Sequence, residues 1–476
     1  MVPGTTTIRG VPGPQRHTRF PRYVTGPKPR RRTELGLLIF ASLLTLALYV
    51  IAELGAKSKI PPHIGPFLGI LLGLSMVAHM ANRWLVPQAN AVILPLAALL
   101  NGIGYVVIAR WNPPYAKAQA GWVAIGIGLY IVTLLVVRYT RDLERYRYLL
   151  LLIGGILLVA PLFFSPLKEE GGSTGAKLWI HYGHLAFQPV EISKILLCIY
   201  FASYFAANKE MLSIPTARLG NRLFLDPRPL IPIIVAWGAA MAVIGLENDI
   251  GFAALLFTLF IGLLWISTGR IGYLVLGFLL FAGGAYVAAR YFGQVHVRVT
   301  EWLDPWQTPT NPNPLGSQLS QGWFGLGSGG IGGTGLGRDI ALGTVPELTS
   351  DMIFAGVGTE MGMIGAAAVV FAFIMMVGAG LRVAQAARTD FSRLMATGLT
   401  IIIGFQAFFI MAGVLRLLPF TGITLPFVAY GGSSLLANYV LIALLLRISD
   451  EGAQTIAAER ESGVSQPGER PMVAAR

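Results

Sequence analysis

The sequence predicts an all-α, polytopic membrane bundle of about twelve transmembrane helices. Three observations carry that expectation. The 476 residues are 54% hydrophobic and 12% charged, with a mean hydropathy of +0.64. That is the balance of a chain that lives in a bilayer. Apolar runs of spanning length recur from end to end, and Lys and Arg fall in alternate short connections between them.

A helix needs about 20 mainly apolar residues to cross the hydrocarbon core. Runs that meet this lie at 35–55, 65–84, 89–109, 119–137, 147–165, 188–207, 229–246, 250–268, 271–290, 351–380, 394–415 and 425–447. The first two precede a core of ten. With Arg30, Arg31 and Arg32 inside, alternate connections place Arg138, Arg141, Arg145 and Arg147 inside as well. Lys209, Arg218, Arg222 and Arg228 follow, then Arg270, then Arg382, Arg388 and Arg393, and finally Arg447. Merging 229–246 with 250–268 would send the Arg382–Arg393 cluster to the wrong side, so they are read as two spans. Both termini are then cytoplasmic, and the net charge of +13 reflects orientation in a membrane and not nucleic-acid binding.

Residues 1–33 form a basic arm rich in Arg and Pro, expected to be disordered and cytoplasmic. The run from Leu35 has spanning length behind that arm, so no cleavable signal peptide is expected. The membrane domain covers 34–450, and the polar tail 451–476 is expected to be disordered. The lone Cys198 sits in an apolar run and excludes an intramolecular disulfide. A buried single Cys reads as a packing residue.

Two larger connections fall outside, 166–187 and about 291–350. The second holds GLGSGGIGGTGLG at 325–337, where Gly325, Gly327 and Gly330 formally match GxGxxG. No strand precedes them and no P-loop Lys follows, so a flexible gate or close backbone packing is the better reading. His181 and His184 lack the HExxH context that would make them metal ligands.

Ionisable groups inside spans cost about 2.5–3.5 kcal/mol each, so each needs a reason. Three groups stand out, all towards the outer side. Gln188-Pro189-Val190-Glu191-Ile192-Ser193-Lys194 opens a span, and Glu191 and Lys194, three apart, share a helix face. A local ion pair would already account for that spacing. Glu247-Asn248-Asp249 lies at a tight junction of two spans, where a plain polar turn is the competing reading. Glu347 to Asp351 leads the long loop back into the bilayer towards Glu360, with Ser350 or Thr349 as a possible N-cap. The inner halves of the spans read as almost wholly apolar.

The last span is interrupted. PFTGITLPFVAYGGSSLLANY (419–439) carries Pro419, Gly422, Pro426, Tyr430, Gly431, Gly432, Ser433 and Ser434. Irregular backbone at membrane depth persists only where protein or a water-filled cavity satisfies its polar groups, so this segment is expected to line a site.

That stretch closely resembles the C-terminal signature of the SEDS family (RodA, FtsW and SpoVE), integral membrane glycosyltransferases that polymerise peptidoglycan. QPVEISK, ENDIGF, GGIGGTGLG and VPELTSDMIFA occur in the family's order, from about Trp179 to Arg447. The final motif looks more like the RodA branch than FtsW. The two extra N-terminal spans and basic arm resemble actinobacterial members of that branch. Ile410 and Arg416 stand where many members have Asn and Gly. Glu247 and Asn248 replace a usual Gln and Pro, Phe252 a Thr, and Val190 a Ser.

The resemblance implies the SEDS fold and polymerisation of lipid II on the outer face of a bacterial cytoplasmic membrane. It implies Asp249 as base, with Lys194 holding its charge and Glu191 orienting Lys194. Arg298 and Arg416 are the candidates for the pyrophosphate of an undecaprenyl-linked glycan, and a divalent cation (Mg or Mn) could assist. A class B penicillin-binding protein is the implied partner. The rival classes are a lipid II flippase, for which broken helices are equally expected, and a non-catalytic scaffold.

Overall fold

The computed structural model describes residues 31–58, 64–164, 178–182, 185–213, 217–219, 222–224, 228–247, 249–306, 318–337, 345 and 347–461. The arm to residue 30, the tail from 462 and His184 lie outside the described residues. The helices are α1 (Arg31–Lys57), α2 (Ile64–Leu85), α3 (Ile93–Trp111), α4 (Pro113–Val136), α5 (Thr140–Arg145), α6 (Arg147–Phe164), α7 (Val190–Ala207) and α8 (Lys209–Ser213). They continue as α9 (Ile231–Glu247), α10 (Ile250–Thr268), α11 (Ile271–Tyr291), α12 (Gly293–Leu303), α13 (Gln318–Gly329), α14 (Ile353–Ala386), α15 (Asp390–Val414) and α16 (Gly432–Glu461). Two antiparallel hairpins of three-residue strands sit in the connections, Ile180–Tyr182 with Leu185–Phe187 and Ala217–Leu219 with Arg222–Phe224.

Twelve of these helices coincide with the twelve expected spans. Ten meet the length and hydropathy of a membrane span among the described residues; the others are α2 and the 17-residue α9. Local chemistry sets several boundaries. Asn112 accepts a hydrogen bond from the Tyr115 N–H at 3.3 Å, with Pro113 opening α4. Thr389 caps α15. The α10 helix stops at Gly269, whose φ of 67° is the left-handed C-terminal signal.

The α16, α7, α3 and α15 helices are mostly buried, whereas α11 leaves most of its surface exposed. Between helices in lipid the hydrophobic effect gives little, and small residues permit the close packing that does. A Cβ at Gly104 would strike the Val428 backbone, one at Gly126 the Tyr439 ring, and one at Gly398 the Cys198 sulfur. Cys198 is thus the packing residue expected of it.

Several boundaries differ from the sequence reading. The last helix begins at Gly432 and not near 425; residues 421–431 form turns and extended backbone. It also runs to Glu461, so 451–461, expected to be disordered, is helical. The outer loop contains α12 and α13. Its glycine run packs backbone to backbone on α14, which breaks at Gly362 (φ 65°, ψ −165°). Thr334 N–H donates to Thr359 O at 2.9 Å, Gly335 N–H to Glu360 O at 3.2 Å, and Met363 N–H to Gly330 O at 3.0 Å. The break frees backbone groups, and the glycine loop satisfies them.

The basic ends of the spans are not wholly apolar. Glu34, fully buried, accepts from Arg31, from Asn82 Nδ2 at 3.1 Å, and lies 3.0 Å from His79 Nδ1. Tyr130 donates to Asn82, and Arg447 donates to Val137 O at 2.8 Å and Leu85 O at 2.9 Å. This network fastens α1 and α2 to α4 and α16. Its partners are all within the protein, which marks a structural dock and not a conducting path.

Candidate active site

Four helices, α7, α10, α14 and α16, begin at the end of the bundle opposite the basic loops, and the irregular segment 421–431 touches the starts of α10, α14 and α16. The Gln188 N–H donates to Ser433 Oγ at 2.9 Å, joining the starts of α7 and α16. Thr424 Oγ1 donates to Ser434 Oγ at 2.9 Å, tying the irregular segment to α16. A Cβ on Gly251, in the first turn of α10, would strike Ile423 and lie 3.1 Å from Thr421. The first turn of a helix carries a partial positive charge and N–H donors. Four of them pointed at one region make it a place for an anion.

Asp249 stands at the start of α10. Its Oδ1 accepts the Phe252 N–H at 2.9 Å, so the polar-turn reading holds as far as the cap goes. It is also half-buried beside two charges, the Glu191 carboxylate and the Arg298 guanidinium. Burial pushes its acidity up to about 6; Glu191 adds to that, while the Phe252 and Gly251 N–H groups and Arg298 oppose it. Asp351, in the turn before α14, is pushed up to about 7 by burial and by the carboxylates of Glu347 and Asp249, with Arg298 opposing.

Arg298 comes from α12 and donates from Nη1 to Phe420 O at 2.8 Å. It and Asp351 flank Gly422, where a Cβ would lie 3.3 Å from Nη2 and 3.2 Å from Asp351 Oδ2. Gly422 has φ 72°, so both conformation and crowding demand glycine there. Phe427, with φ 63°, holds a left-handed conformation that costs a side-chain-bearing residue of order 1–3 kcal/mol.

Lys194 is fully buried, paired with Glu191 and 3.0 Å from Gln406 Oε1 on α15. Tyr430 stacks on Tyr115 with centroids 4.4 Å apart, and its N–H donates to Thr349 O at 2.8 Å. Gly432 lies against Trp122, where a Cβ would be 2.5 Å from the indole. Gly431 adjoins Thr424 and Ser434.

Three expected residues are placed differently. Glu347 is exposed with φ 51° and accepts from Ser350 Oγ at 2.8 Å. Neither Ser350 nor Thr349 caps α14, whose N-cap Met352 makes no side-chain cap bond. Glu360 belongs to another cluster: its Oε1 accepts from Trp111 Nε1 at 2.7 Å, beside the glycine loop. Arg416 donates to Trp302 O at 2.9 Å and Leu303 O at 2.7 Å, with its guanidinium over the Trp323 ring. It clamps α12, and its φ of 61° is a conformation that suits the Gly many members of the resembled family have there.

Sequence reasoning passed over Gln406, Trp111 and Trp122. Gln406 and Trp111 were findable as polar groups in otherwise apolar runs, which need partners. Glu247, which the sequence groups with Asp249 at the tight junction, has its own place. Glu247 is fully buried next to the site, and neither carboxylate oxygen has a hydrogen-bond partner. Among the described residues no three His, Cys, Asp or Glu come together. Asp249 and Asp351, with Arg298 beside both, are the carboxylates this region offers to a cation.

Comparison with known proteins shows the family. The family model of the FtsW/RodA/SpoVE cell cycle proteins matches residues 91–454. The chain belongs to that family. The peptidoglycan glycosyltransferase RodA of Mycobacterium tuberculosis is 36% identical over 440 residues, 90% of this chain and 92% of that one. The Mycobacterium leprae RodA is 36% identical over 437 residues, with the same shares. A probable peptidoglycan glycosyltransferase FtsW of a Geobacter species is 33% identical over 301 residues, 63% of this chain and 77% of that one. Two solved structures share the fold. A chain from a study of polymerisation and crosslinking by a peptidoglycan synthase complex aligns with TM-score 0.60 at 22% identity, covering 76% of this chain and 98% of that one. The RodA of Thermus thermophilus aligns with TM-score 0.52 at 20% identity, covering 79% and 99%. The family match starts at 91, so α1 and α2 lie outside it.

Proposed function

We propose that this peptidoglycan glycosyltransferase joins lipid II units into glycan strands, with Asp249 as the base. The observation that carries the reading is the convergence of Asp249, Arg298 and Asp351 with four helix starts at one end of the bundle. The C4 hydroxyl of the acceptor sugar attacks C1 of the donor sugar. Asp249 takes the hydroxyl proton as the new C–O bond forms. The bond from C1 to the pyrophosphate oxygen breaks, and undecaprenyl pyrophosphate leaves with inversion.

An acid pushed up to about 6 is still ionised at neutral pH and close enough to it to accept a proton well. Arg298 and the helix starts supply positive charge where the pyrophosphate gathers negative charge, the term that usually matters most in such transfers. Lys194 balances Glu191 behind Asp249. The positive-inside distribution supports a site on the outer face of a bacterial cytoplasmic membrane. Crosslinking falls to a partner, for which a class B penicillin-binding protein is the fitting chemistry.

Purified protein with that partner, in vesicles loaded with lipid II, tests the reading. Glycan polymer formed from lipid II is expected. Lipid II crossing the bilayer without polymer would make the protein a transporter instead.

A further inference from the structure

The accessory helix α1 reaches the same end of the bundle as the glycine loop. Its last turns, Ala52 to Ala56, lie backbone to backbone against Leu336 and Gly337. A Cβ on Gly55 would strike the Leu336 carbonyl. One on Gly337, already at φ 92°, would strike the Ala52 carbonyl and lie 2.7 Å from the Ala56 nitrogen. Only glycine permits so close an approach of two backbones. Arg110, near the end of α3, donates from Nη2 to Gly337 O at 3.1 Å, with its guanidinium beside the Glu360 carboxylate.

The loop in turn holds one end of a lever. Residues 353–361 of α14 form a half-helix between Asp351 and the break at Gly362. At 1.5 Å per residue it spans about 14 Å. Its far end is fixed by the loop, through the Thr334 and Gly335 N–H bonds to Thr359 O and Glu360 O. Trp111 of α3 also grips it: the indole donates to Glu360 and stands where a Cβ on Gly356 would strike it. The near end is at the site, where the preceding turn carries Asp351 and Thr349 O accepts the Tyr430 N–H at 2.8 Å. A rigid element hinged at a glycine carries a displacement of one end to the other.

We propose that Gly55 and Arg110 are positioning residues for polymerisation: through the glycine loop they set the half-helix, and with it Asp351 beside Asp249 and Arg298. The inference rests on the reading of the site given above. It adds α1, which lies outside the family match, to the parts that the reaction needs. A misplacement of about 1 Å at a reacting centre can cost about 10²-fold in rate. Neither residue touches the site, so the loss falls on kcat and not on KM.

Steady-state polymerisation of lipid II by the full-length protein with its crosslinking partner tests this, with rates taken per folded molecule. Gly55→Val should lower kcat about tenfold with KM held within about twofold. Arg110→Gln should lower kcat at least about threefold in the same way. Arg110→Lys, which keeps a donor for Gly337 O, should recover most of that loss. Leu43→Ala, at an exposed position of α1 away from the loop, should leave both constants unchanged. Wild-type kcat in both Gly55→Val and Arg110→Gln overturns the proposal, and so does a loss confined to KM. Should Gly55→Val melt early, the two Arg110 variants decide alone. No polymer from the wild type would overturn the reading of the site itself, and the proposal with it.

Discussion

Asp249 serves as helix cap and as charged group at once, and the two roles can be separated by substitution. Asn caps a helix as well as Asp, so Asp249→Asn should change stability by less than about 0.5 kcal/mol. Losing the base should slow polymerisation about 10²–10⁴-fold. The pH profile follows from the raised acidity of Asp249, about 6. A carboxylate held that high is protonated below it, so the rate should fall as pH drops through about 6 and level off above. Lys194→Met would leave Glu191 buried and unpaired, at a cost of about 3–5 kcal/mol; adding Glu191→Gln should recover part of that in a melting experiment. The Glu191–Lys194 pair was legible in the sequence because three-residue spacing on a helix dictates it. Gln406, the third member, was visible only as a polar group needing a partner; that the partner is Lys194 depends on packing of α7 on α15, which spacing does not encode. The partners of Arg416 were hidden for the same reason: they are carbonyls of α12, more than a hundred residues away.

At the scale of elements, the interruptions were readable but their geometry was not. Gly and Pro at 419–432 announced irregular backbone, and irregular backbone is found, yet the helix was expected to start near 425. Thr424 and Thr349 meet Ser434 and Tyr430 there, side-chain and backbone partners that make seven further residues of non-helical chain tolerable. The glycine loop gives a sharper prediction. A Cβ on Gly333, already at φ 87°, would strike the Glu360 carbonyl, so Gly333→Ala should cost more than about 1 kcal/mol. Melting temperature and activity should fall together, since the loop braces the half-helix that follows Asp351.

Across the whole molecule, apolar runs of spanning length located twelve helices, ten of which are long and apolar enough to cross a membrane among the described residues. The alternation of basic loops also put the four helix starts on one side. Their meeting around Asp249 is a matter of packing and appears only in the fold. The accessory helices were readable as spans, but the buried Glu34 network that fastens them was not, since the inner halves of the helices looked apolar. Glu34→Ala removes the acceptor for Arg31, Asn82 and His79, and should lower stability by about 3 kcal/mol or more. The polymerisation rate of the surviving folded fraction should stay within about twofold.

The most direct measurement is single-turnover polymerisation of lipid II at pH 7.5 by purified wild type and Asp249→Asn, each confirmed folded by its melting curve. Polymer from the wild type, with a loss of at least about 10² in the variant, is the expected result. Equal rates from two equally stable proteins would contradict the assignment of Asp249 as the base.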